Sequence, residues 1–455
     1  MKSLKGTAVL AAAFFLFPLI GRAEDAALAE KNKTLEERVA QLEQQVRLLT
    51  RVGEVSKEVQ IKKDTETPVV QAGKDGFSLR SADQDFQIKF KGQVQADGRY
   101  FAGDDTATGV NQYLIRRLRP SIEGTVYKYF DFKLLTDFAG STAAVQDAFI
   151  DFKYWKAASI RAGKFKSPMS LEALQSDANK MFVENSLVSN LVPNRDIGFD
   201  LHGDLFENRV SYDLAVMDGV ADGASLDTDS HDDKDFVVRI FTHPFKNSAN
   251  DWISGLGFGV AASTGRAHGS SSSSTLPSFR SPGQQTFFAY NSGVFADGEH
   301  NRINPQAYWF KGPIGLMSEW VVASQRVKAD SASAATLTNY AWNIVGSYVA
   351  TGEDSSYSGV IPRKNLDIKN GTWGALEFVS RLHQLKGDSD NYLVFANPTS
   401  AAKGATAWVI GFNWYLNKYV RIMTNFEQTL FNGGSASLGD RKNENAFLSR
   451  MQLGF

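Results

Sequence analysis

The stretch PSIEGTVYKYFDFKLLTDF, residues 120–138, decides the fold of this chain. In each of its two halves an apolar side chain alternates with a polar one, as in a β-strand whose two faces meet different surroundings. The apolar face carries Pro120, Ile122, Gly124 and Val126, then Phe130, Phe132, Leu134 and Phe138. The polar face carries charged residues, namely Glu123, Asp131, Lys133 and Asp137. The pattern predicts two neighbouring strands, each with one apolar and one charged face.

The same alternation recurs from about residue 86 to the C-terminus, with turns rich in Gly, Asp, Asn and Ser between the segments. The sixteen segments lie near 86–101, 112–127, 129–139, 145–155, 158–166, 195–206, 208–217, 234–243, 254–264, 303–311, 314–327, 339–350, 373–386, 405–417, 419–431 and 445–455. A further candidate, 284–291, would make the count odd. We assign it to a loop because bacterial single-chain barrels have even numbers of strands.

A soluble β-sandwich also alternates, with its apolar side chains turned inward. Here many residues of the polar faces are charged, as in a wet lumen, and aromatic residues concentrate towards the segment ends, as at the two interfaces of a membrane. Closure of the sheet also removes the strand edges that hydrocarbon does not tolerate. We therefore predict an all-β transmembrane barrel of about 16 antiparallel strands over residues 86–455, in contact with outer-membrane lipid. A barrel of that size encloses a water-filled channel.

Residues 1–23 have the composition of a secretory signal peptide. Lys2 and Lys5 precede the uncharged run 8–20, which is followed by Gly-Arg-Ala at 21–23. An N-terminal anchor helix is the alternative, but the run is shorter than a spanning helix requires. We expect the mature protein to be exported.

Residues 24–53 carry a heptad pattern typical of a short coiled-coil helix. The d positions are Leu28, Leu35, Leu42 and Leu49, and the a positions include Val39 and Val46. About three heptads are marginal as an isolated helix, so we expect partner chains to complete the coil. A single amphipathic helix lying on its own protein is the alternative. Gly53 is predicted to end the helix, and the polar residues 54–85 are predicted to form a linker.

A basic strip on the second predicted strand is the candidate functional feature. The alternation assigns Arg117 and Arg119 to the lumen, Arg116 lies nearer the strand end, and Lys133 is on the polar face of the next strand. An arginine in a lumen attracts anions and offers a planar pair of donors that suits phosphate or carboxylate. The alternative is ordinary charge pairing with the aspartates of neighbouring polar faces, which are Asp131, Asp137, Asp147 and Asp151.

The segment 167–193, between the fifth and sixth predicted strands, is too long and irregular for a turn and contains Pro168 and Pro193. Long loops without regular structure are usually functional. We expect this one to fold into the channel as a constriction loop.

The composition argues against several other classes of function. The chain has no cysteine, and its 49 Lys and Arg balance 50 Asp and Glu, so neither thiol chemistry nor nucleic-acid binding is indicated. The six histidines show no H-E-x-x-H spacing, and neither a G-x-S-x-G elbow nor a P-loop is present. We expect no enzyme activity, no catalytic residue, no metal site and no cofactor.

From about residue 86 to 455 the chain resembles the phosphate-selective porin O and P family of Gram-negative outer membranes. The stretches that carry the resemblance are FKGQVQADGRYF at 90–101, IRRLRPSIEGTVYKYFDFKLLTDFAG at 115–140, VQDAFIDFKYW at 145–155, RAGKFKSPMSLE at 161–172, VPNRDIGFDLHGDLF at 192–206, LPSFRSPGQQTFF at 276–288 and GFNWYLNKYV at 411–420. The resemblance implies a homotrimer of sixteen-stranded barrels, each with its own pore, an inward-folded third loop and a preference for anions. It also implies that the coiled coil lies in the periplasm.

The resemblance extends to particular residues. The family's paired arginines on strand two match Arg116 and Arg117, and Lys180 stands near the family's constriction lysine. Phosphate-selective members carry a ladder of arginines in the loop after strand nine, where this chain offers Arg266, Arg280 and Arg302. Those members also have an arginine after a glutamate in the constriction loop, whereas here Glu184 is followed by Asn185. Fewer charge-assisted contacts in series imply weaker capture of phosphate.

The leading hypothesis is a passive, trimeric porin for small hydrophilic solutes with a preference for anions, phosphate-like ones among them. The predicted anion-contacting residues are Arg116, Arg117, Arg119, Lys133, Lys180 and Arg280. A structural or adhesive barrel that its coiled coil tethers to the cell wall is the alternative. A barrel hydrolase would need a Ser–His pair on adjacent strands.

Overall fold

The N-terminal part of the chain is one long helix, α1, Leu10–Glu66. The computed structural model describes residues 10–73, 76–102, 109–225, 227, 232–330, 332–389 and 392–455, so residues 1–9 of the predicted signal peptide lie outside the described residues. The chain divides into two compact units, one containing α1 and the other the β-structure that follows it. In the described part of the chain no helix is both long and apolar enough to span a membrane.

Helix α1 does not end at Gly53, which corrects the prediction of a linker over 54–85. Residues 54–66 continue the helix, and two short strands, Val69–Gly73 and Gly76–Arg80, follow it. A glycine inside a helix costs only about 1 kcal/mol relative to alanine, and the Glu, Lys and Gln residues that follow Gly53 are good helix formers. The helix ends at Glu66 because the residue before Pro68 is restricted to extended conformations.

Sixteen antiparallel strands, counted over the described residues, form a barrel wall. They are β1 Gln87–Ala102, β2 Gln112–Val126, β3 Phe130–Asp137, β4 Ala144–Trp155, β5 Ala158–Lys166, β6 Arg195–Leu205, β7 Val210–Met217, β8 Asp235–Thr242, β9 Leu256–His268, β10 Val294–Lys311, β11 Ile314–Ala329, β12 Ala332–Val349, β13 Ala375–Lys386, β14 Ala402–Tyr415, β15 Val420–Gly433 and β16 Glu444–Gly454. Each strand pairs with the next, and β16 pairs with β1, for example Met451 with Ala96. The barrel is closed, which confirms the predicted fold.

The two faces of the wall have opposite polarity. Ile150 of β4, Phe199 of β6 and Ile344 of β12 point outward, and each is more than half exposed. Their sequence neighbours Asp151 and Asn343 point into the lumen and are buried. A basic side chain on a lipid-facing position costs about 2–4 kcal/mol at the membrane midplane. The period-two pattern therefore determines which face of each strand is inside.

The two ends of the barrel differ in their connections. At the turn end most connections are short, as at 127–129 and 312–313. At the loop end they include the longer segments 167–194 and 269–293. Two connections at the turn end, 243–255 and 350–374, are longer and are exceptions to this division. Short turns at one end and long loops at the other are typical of outer-membrane barrels.

Several short elements lie outside the barrel wall. They are the helices α2 Leu171–Leu174, α3 Asp251–Ser254 and α4 Tyr392–Phe395, a 3-10 turn Leu187–Asn190, and the strands Phe279–Arg280, Thr286–Phe288, Leu366–Asp367 and Thr372–Trp373. The strand Thr286–Phe288 pairs with Phe279–Arg280 in a separate two-stranded sheet. The segment 284–291 is thus not part of the wall, in agreement with its assignment to a loop.

The connection 167–194 between β5 and β6, which we call the inserted loop, folds into the lumen. Its Met169 and Leu187 are fully buried, and both belong to one apolar cluster with Ala341 and Ala407 of the wall. Small side chains at these lumenal positions leave the volume that the loop fills. The core of this barrel is therefore the contact between the inserted loop and the wall.

Candidate functional site

Polar side chains on one side of the barrel wall hold the inserted loop in the lumen. Glu319 of β11 accepts a hydrogen bond from Ser170 Oγ at 3.1 Å. It also accepts from the backbone N–H groups of Leu171 at 2.9 Å and Glu172 at 3.1 Å. These N–H groups begin helix α2 and have no partner within the helix. Glu319 therefore anchors the start of the loop helix to the wall.

Two further wall side chains bind the later part of the loop. The N–H of Val183 donates to Asn425 Oδ1 of β15 at 2.8 Å, and the N–H of Leu187 donates to His383 Nδ1 of β13 at 3.0 Å. Buried backbone groups that lack a partner are costly, so paired ones restrict a loop to one position. The wall from β10 to β15 is thus largely occupied by mounting the loop.

The opposite wall carries the arginines that the sequence singled out, and a β-bulge sets their direction. Gln95 of β1 pairs with Arg117 of β2, but the next residue, Ala96, pairs with Ile115. Arg116 is therefore an extra residue, and such a residue interrupts the alternation of side chains. Arg116 and Arg117 consequently both reach the lumen, although they are adjacent in sequence.

Glu184 of the inserted loop faces this arginine pair. Arg116 Nε donates to Glu184 Oε1 at 2.7 Å, and Arg99 Nη2 of β1 donates to the same oxygen at 2.8 Å. Burial alone would raise the pKa of the Glu184 carboxyl, but attraction first to Arg116 and then to Arg450 and Arg117 holds the pKa well below its ordinary value. The ionised carboxylate ties the loop to β1 and β2.

Asp177, also on the inserted loop, lies within 4 Å of four cations of the described residues. Its Oδ2 is 2.5 Å from Arg119 Nη1 and 3.9 Å from Arg195 Nη2, and its Oδ1 is 3.1 Å from Lys180 Nζ and 3.6 Å from Arg117 Nη2. Burial alone would raise the pKa of Asp177, but attraction to Arg117, Lys180 and the other cations holds it well below its ordinary value. Burial lowers the pKa of Lys180, and attraction to Asp177 opposes that change.

Two cavities lie beside the inserted loop in the described lumen. The outer cavity, towards the loop end, has a volume of about 650 Å³, and the inner cavity, towards the turn end, has a volume of about 710 Å³. The linings of both cavities include Arg119, Asp177 and Arg195. We call these three residues the junction, because they border both cavities.

The six predicted anion-contacting residues all border these cavities. The outer cavity is lined by Arg116, Arg117, Arg119, Lys180 and Arg280, and the inner cavity by Arg119 and Lys133. Lys133 Nζ lies 2.9 Å from Asp147 Oδ2. For this residue the structure shows the charge pairing that was the alternative to anion contact. Arg280 is exposed, and no carboxylate of the described residues is within ion-pair distance of it. The six residues therefore all line the two cavities, but they have different partners.

The implied arginine ladder after strand nine is not present as a row. Arg302 of β10 is buried and donates to Asp222 at 2.6 Å and to Asp235 at 2.8 Å. Its charge is neutralised inside the wall. Arg266 of β9 is exposed and lies outside the linings of both cavities. Of the three implied residues, Arg280 is the one that borders a cavity.

The long connection 350–374 narrows the lumen from the turn end. The Tyr357 ring stacks on Tyr308 of β10 with their centroids 5.5 Å apart, and its hydroxyl donates to the carbonyl of Leu171 at 2.6 Å. Gln175 Nε2 donates to the Tyr357 carbonyl at 2.8 Å, and residues 358–361 border the inner cavity. This contribution was not predicted, because the connection shows no pattern that distinguishes it from a surface loop.

Sequence reasoning also missed Asp177 and Arg195 as residues of the junction. Asp177 stands alone in an irregular segment, so neither period nor motif marks it. The one available signal was the expectation that 167–193 enters the channel, since a charged side chain on such a loop has to meet the opposite wall. Arg195 is the first residue of β6. At the start of a strand, the alternation of polar and apolar residues is too short to predict whether a side chain points into the lumen or outward.

A closed barrel with an apolar outer face, a charged lumen and a loop folded inside defines the protein as an outer-membrane porin. A family model described as "Phosphate-selective porin O and P" matches residues 88–455. The chain belongs to this family, which confirms the resemblance seen in the sequence. The family and the fold are those of a channel rather than of an enzyme.

Individual proteins resemble the chain at lower identity. Porin O of Pseudomonas aeruginosa is 22% identical over 419 residues, which is 84% of this chain and 91% of that protein. The outer membrane channel DcaP of Acinetobacter baumannii has a TM-score of 0.54 at 11% identity, over 85% of this chain and 100% of that one. OmpT of Vibrio cholerae, in its trimer form, has a TM-score of 0.50 at 10% identity, over 81% of this chain and 99% of that one. These two structures show that the barrel fold is shared.

Proposed function

We propose that this porin is a passive, water-filled diffusion channel that prefers small anions to cations and has no enzyme activity. The observation that carries the proposal is the cluster of cations around Asp177, which borders both cavities. Four of them, among the described residues, surround Asp177; they are Arg117, Arg119, Lys180 and Arg195. Any permeating ion passes within reach of this cluster.

The balance of positive and negative charges around Asp177 supports a moderate preference for anions. The carboxylates that bind the four cations are Asp137, Asp147 and Asp177, and Lys133 adds a fifth positive charge beside Asp147. The described residues therefore leave a positive excess. The low-dielectric walls of a channel concentrate the electrostatic field of this excess positive charge in the channel interior. Because each of these five cations has a carboxylate partner, we expect attraction of anions without tight binding.

The class of solute that we propose is a small hydrophilic anion with a phosphate-like or carboxylate group. Arginine presents two parallel N–H donors that match two oxygens of such a group. Arg116, Arg117 and Arg119 follow one another along β2 and border the outer cavity. Asn185 after Glu184, in place of the family's arginine, supports general anion passage more than strict selection of phosphate.

We also propose that three chains assemble through α1 and that α1 lies in the periplasm. The d-position residues Leu28, Leu35, Leu42 and Leu49 are each more than half exposed in the single chain, which supports a partner helix over this seam. The trimer form of OmpT supports an assembly of three. Short turns of bacterial barrels face the periplasm, so the turn end would face it here. Residues 1–23 would be removed during export.

Reconstitution of the mature protein in planar bilayers tests the proposed channel. We expect stepwise conductance, and under a salt gradient a reversal potential that favours chloride over potassium. A strong preference for potassium would reject the anion part of the proposal, and an absence of conductance would reject the channel. Liposome swelling completes the test, since a sealed barrel that leaves solute uptake unchanged would favour the structural or adhesive alternative.

A further inference from the structure

We propose that Asp177 is a tethered anion that occupies the junction between the two cavities, so that a permeating anion has to displace its carboxylate. The inference rests on the proposed function and deepens it. On this proposal, competition from the Asp177 carboxylate limits how tightly the channel can bind an anion.

The contacts of Asp177 are those expected of a bound anion. Both carboxylate oxygens face cations, with Arg119 and Arg195 on Oδ2 and Lys180 and Arg117 on Oδ1. The residue is buried although it belongs to a loop between two cavities. A phosphate or carboxylate solute would present its oxygens to the same donors, because arginine and lysine recognise the charge and the oxygen geometry of the group.

The backbone around Asp177 is fixed to the barrel wall, which keeps the carboxylate at the junction. Gln95 Nε2 of β1 donates to the Asp177 carbonyl at 3.2 Å, and Gln452 Nε2 of β16 donates to the Ala178 carbonyl at 2.9 Å. Gln452 Oε1 in turn accepts from Gln95 Nε2 at 2.7 Å. The loop is therefore held at the main chain, and displacement of the carboxylate requires a rotation of the Asp177 side chain alone.

Tethering gives the carboxylate an advantage over a free anion. A group on a short tether acts at an effective concentration on the order of millimolar or higher. A free anion at lower concentration then seldom occupies the junction, and one that does enter is replaced by the returning carboxylate. The channel would therefore combine attraction of anions with rapid release, which is the condition for high flux.

The variant Asp177→Asn removes the resident charge while it keeps the shape of the side chain. In planar bilayers, with chloride as the current carrier and inorganic phosphate as the blocker, we expect two changes relative to the wild type. The reversal potential should shift further towards chloride. The phosphate concentration for half-block should fall roughly tenfold, the factor that corresponds to one charge-assisted contact. An unchanged half-block concentration and an unchanged reversal potential would overturn the proposal.

Asp367→Asn is the matched control, because it removes the same charge from an exposed position in the turn-end connection, outside both cavity linings. It should behave as the wild type.

The proposed function and the tethered anion would be contradicted by different results. A wild-type channel without anion preference would contradict the proposed function, whereas the difference between Asp177→Asn and the wild type tests the tethered anion whatever the wild-type preference is.

A measurement on the wild type covers the case in which Asp177→Asn does not fold. If the carboxylate fills the junction, the chloride conductance should rise without saturation and phosphate should half-block only on the order of millimolar or above. Half-block by phosphate on the order of micromolar in the wild type would show that the junction is free for external anions, and would overturn the inference.

Discussion

Glu184 of the inserted loop and Arg116 in the bulge of β2 form a two-point contact beside the outer cavity. Arg116 Nε donates to Glu184 Oε1 at 2.7 Å, and Arg116 Nη2 donates to Oε2 at 3.2 Å. A bidentate pair of this kind fixes orientation as well as distance. Because Arg116 is the extra residue of the bulge, the same backbone irregularity that aims it inward also provides the attachment point of the loop.

The variant Glu184→Gln should loosen the inserted loop. A neutral amide leaves Arg116 and Arg99 without their carboxylate, and removal of one partner from a buried ion pair costs about 3–5 kcal/mol. We expect a lower thermal unfolding temperature and a larger, noisier single-channel conductance, measured by circular dichroism and in planar bilayers. Glu207→Gln, at an exposed turn, is the control and should change neither quantity. An unaltered conductance in Glu184→Gln would show that the loop is held by its other contacts.

The variant Arg119→Gln should reduce the preference for anions most strongly. Arg119 bridges Asp137 at 2.6 Å and Asp177 at 2.5 Å, so its removal leaves two carboxylates at the junction with one cation fewer. We expect the reversal potential to move towards potassium. Lys128→Gln, which neutralises a cation paired with Asp85 in the turn 127–129, serves as the control. Equal shifts in the two variants would mean that overall charge, and not the junction, determines selectivity.

Arg280→Gln should affect entry of anions without affecting stability. The Arg280 side chain is exposed and borders the outer cavity, so its charge acts on ions that approach the channel. We expect a lower chloride conductance in dilute salt, with the difference from the wild type vanishing near 1 M salt, where the screening length is only about 3 Å. Arg302→Gln provides the opposite pattern, because that buried residue binds Asp222 and Asp235. Arg302→Gln should lower the unfolding temperature. If the lower chloride conductance of Arg280→Gln persisted in concentrated salt, an electrostatic role of Arg280 would be contradicted.

Single cysteines should reveal whether α1 associates with other copies, since the natural chain has none. In the proposed coil Leu42 is at a d position, where side chains of neighbouring helices come close enough for a disulfide. Leu42→Cys should therefore yield a chain linked to a second copy under mild oxidation, seen as a band of doubled mass on a denaturing gel. Gln44→Cys, at an outer heptad position, is the control and should remain single. Comparable linking at both positions would argue against a defined seam.

Acidification to about pH 4 should leave the carboxylates of Asp177 and Glu184 ionised. The pKa values of Asp177 and Glu184 are depressed in the folded protein, so the stabilisation from their ion pairs is complete above the ordinary carboxyl pKa of about 4 and is lost only as the pH falls through the lower folded values. The cations that face Asp177 are Arg117, Arg119, Lys166, Lys180 and Arg195, and those that face Glu184 are Arg99, Arg116, Arg117 and Arg450. Between pH 7 and 4, the single-channel conductance of the wild type should therefore change no more than that of Asp177→Asn. A step near the ordinary carboxyl pKa that is present in the wild type but absent from Asp177→Asn would contradict this expectation.

The barrel was predictable because every one of its strands meets lipid on one face. That condition repeats the same alternation along the chain, as in Ile150 beside Asp151, and the repetition compensates for the weakness of each single segment. The helical extent of α1 was not predictable in the same way. Gly53 and the polar residues after it look like the end of a helix, although their propensities are sufficient to continue one.

The site was predictable only in part, because its residues depart from simple rules. Strict alternation would send Arg116 outward, and the bulge that turns it inward is a property of the pairing with β1 rather than of the residues of β2. Arg302 looked available for an arginine ladder, and its burial against two aspartates depends on contacts between distant segments. Asp177 acquires its surroundings only when the inserted loop crosses the lumen.

The mounting of the inserted loop on β10–β15 has a consequence for how porins of this type diverge. Residues such as Glu319 and His383 serve the loop backbone, whereas the residues that a solute passes belong mainly to the other half of the circumference. Most of the loop's attachment to the wall and most of the residues that a solute passes therefore lie on different strands, although Gln95 of β1 and Gln452 of β16 also bind the loop backbone. Substitutions of solute-facing residues that do not bind the loop, such as Arg280, can change what the pore admits while the mounting on β10–β15 stays constant, so relatives with the same architecture need not pass the same solutes.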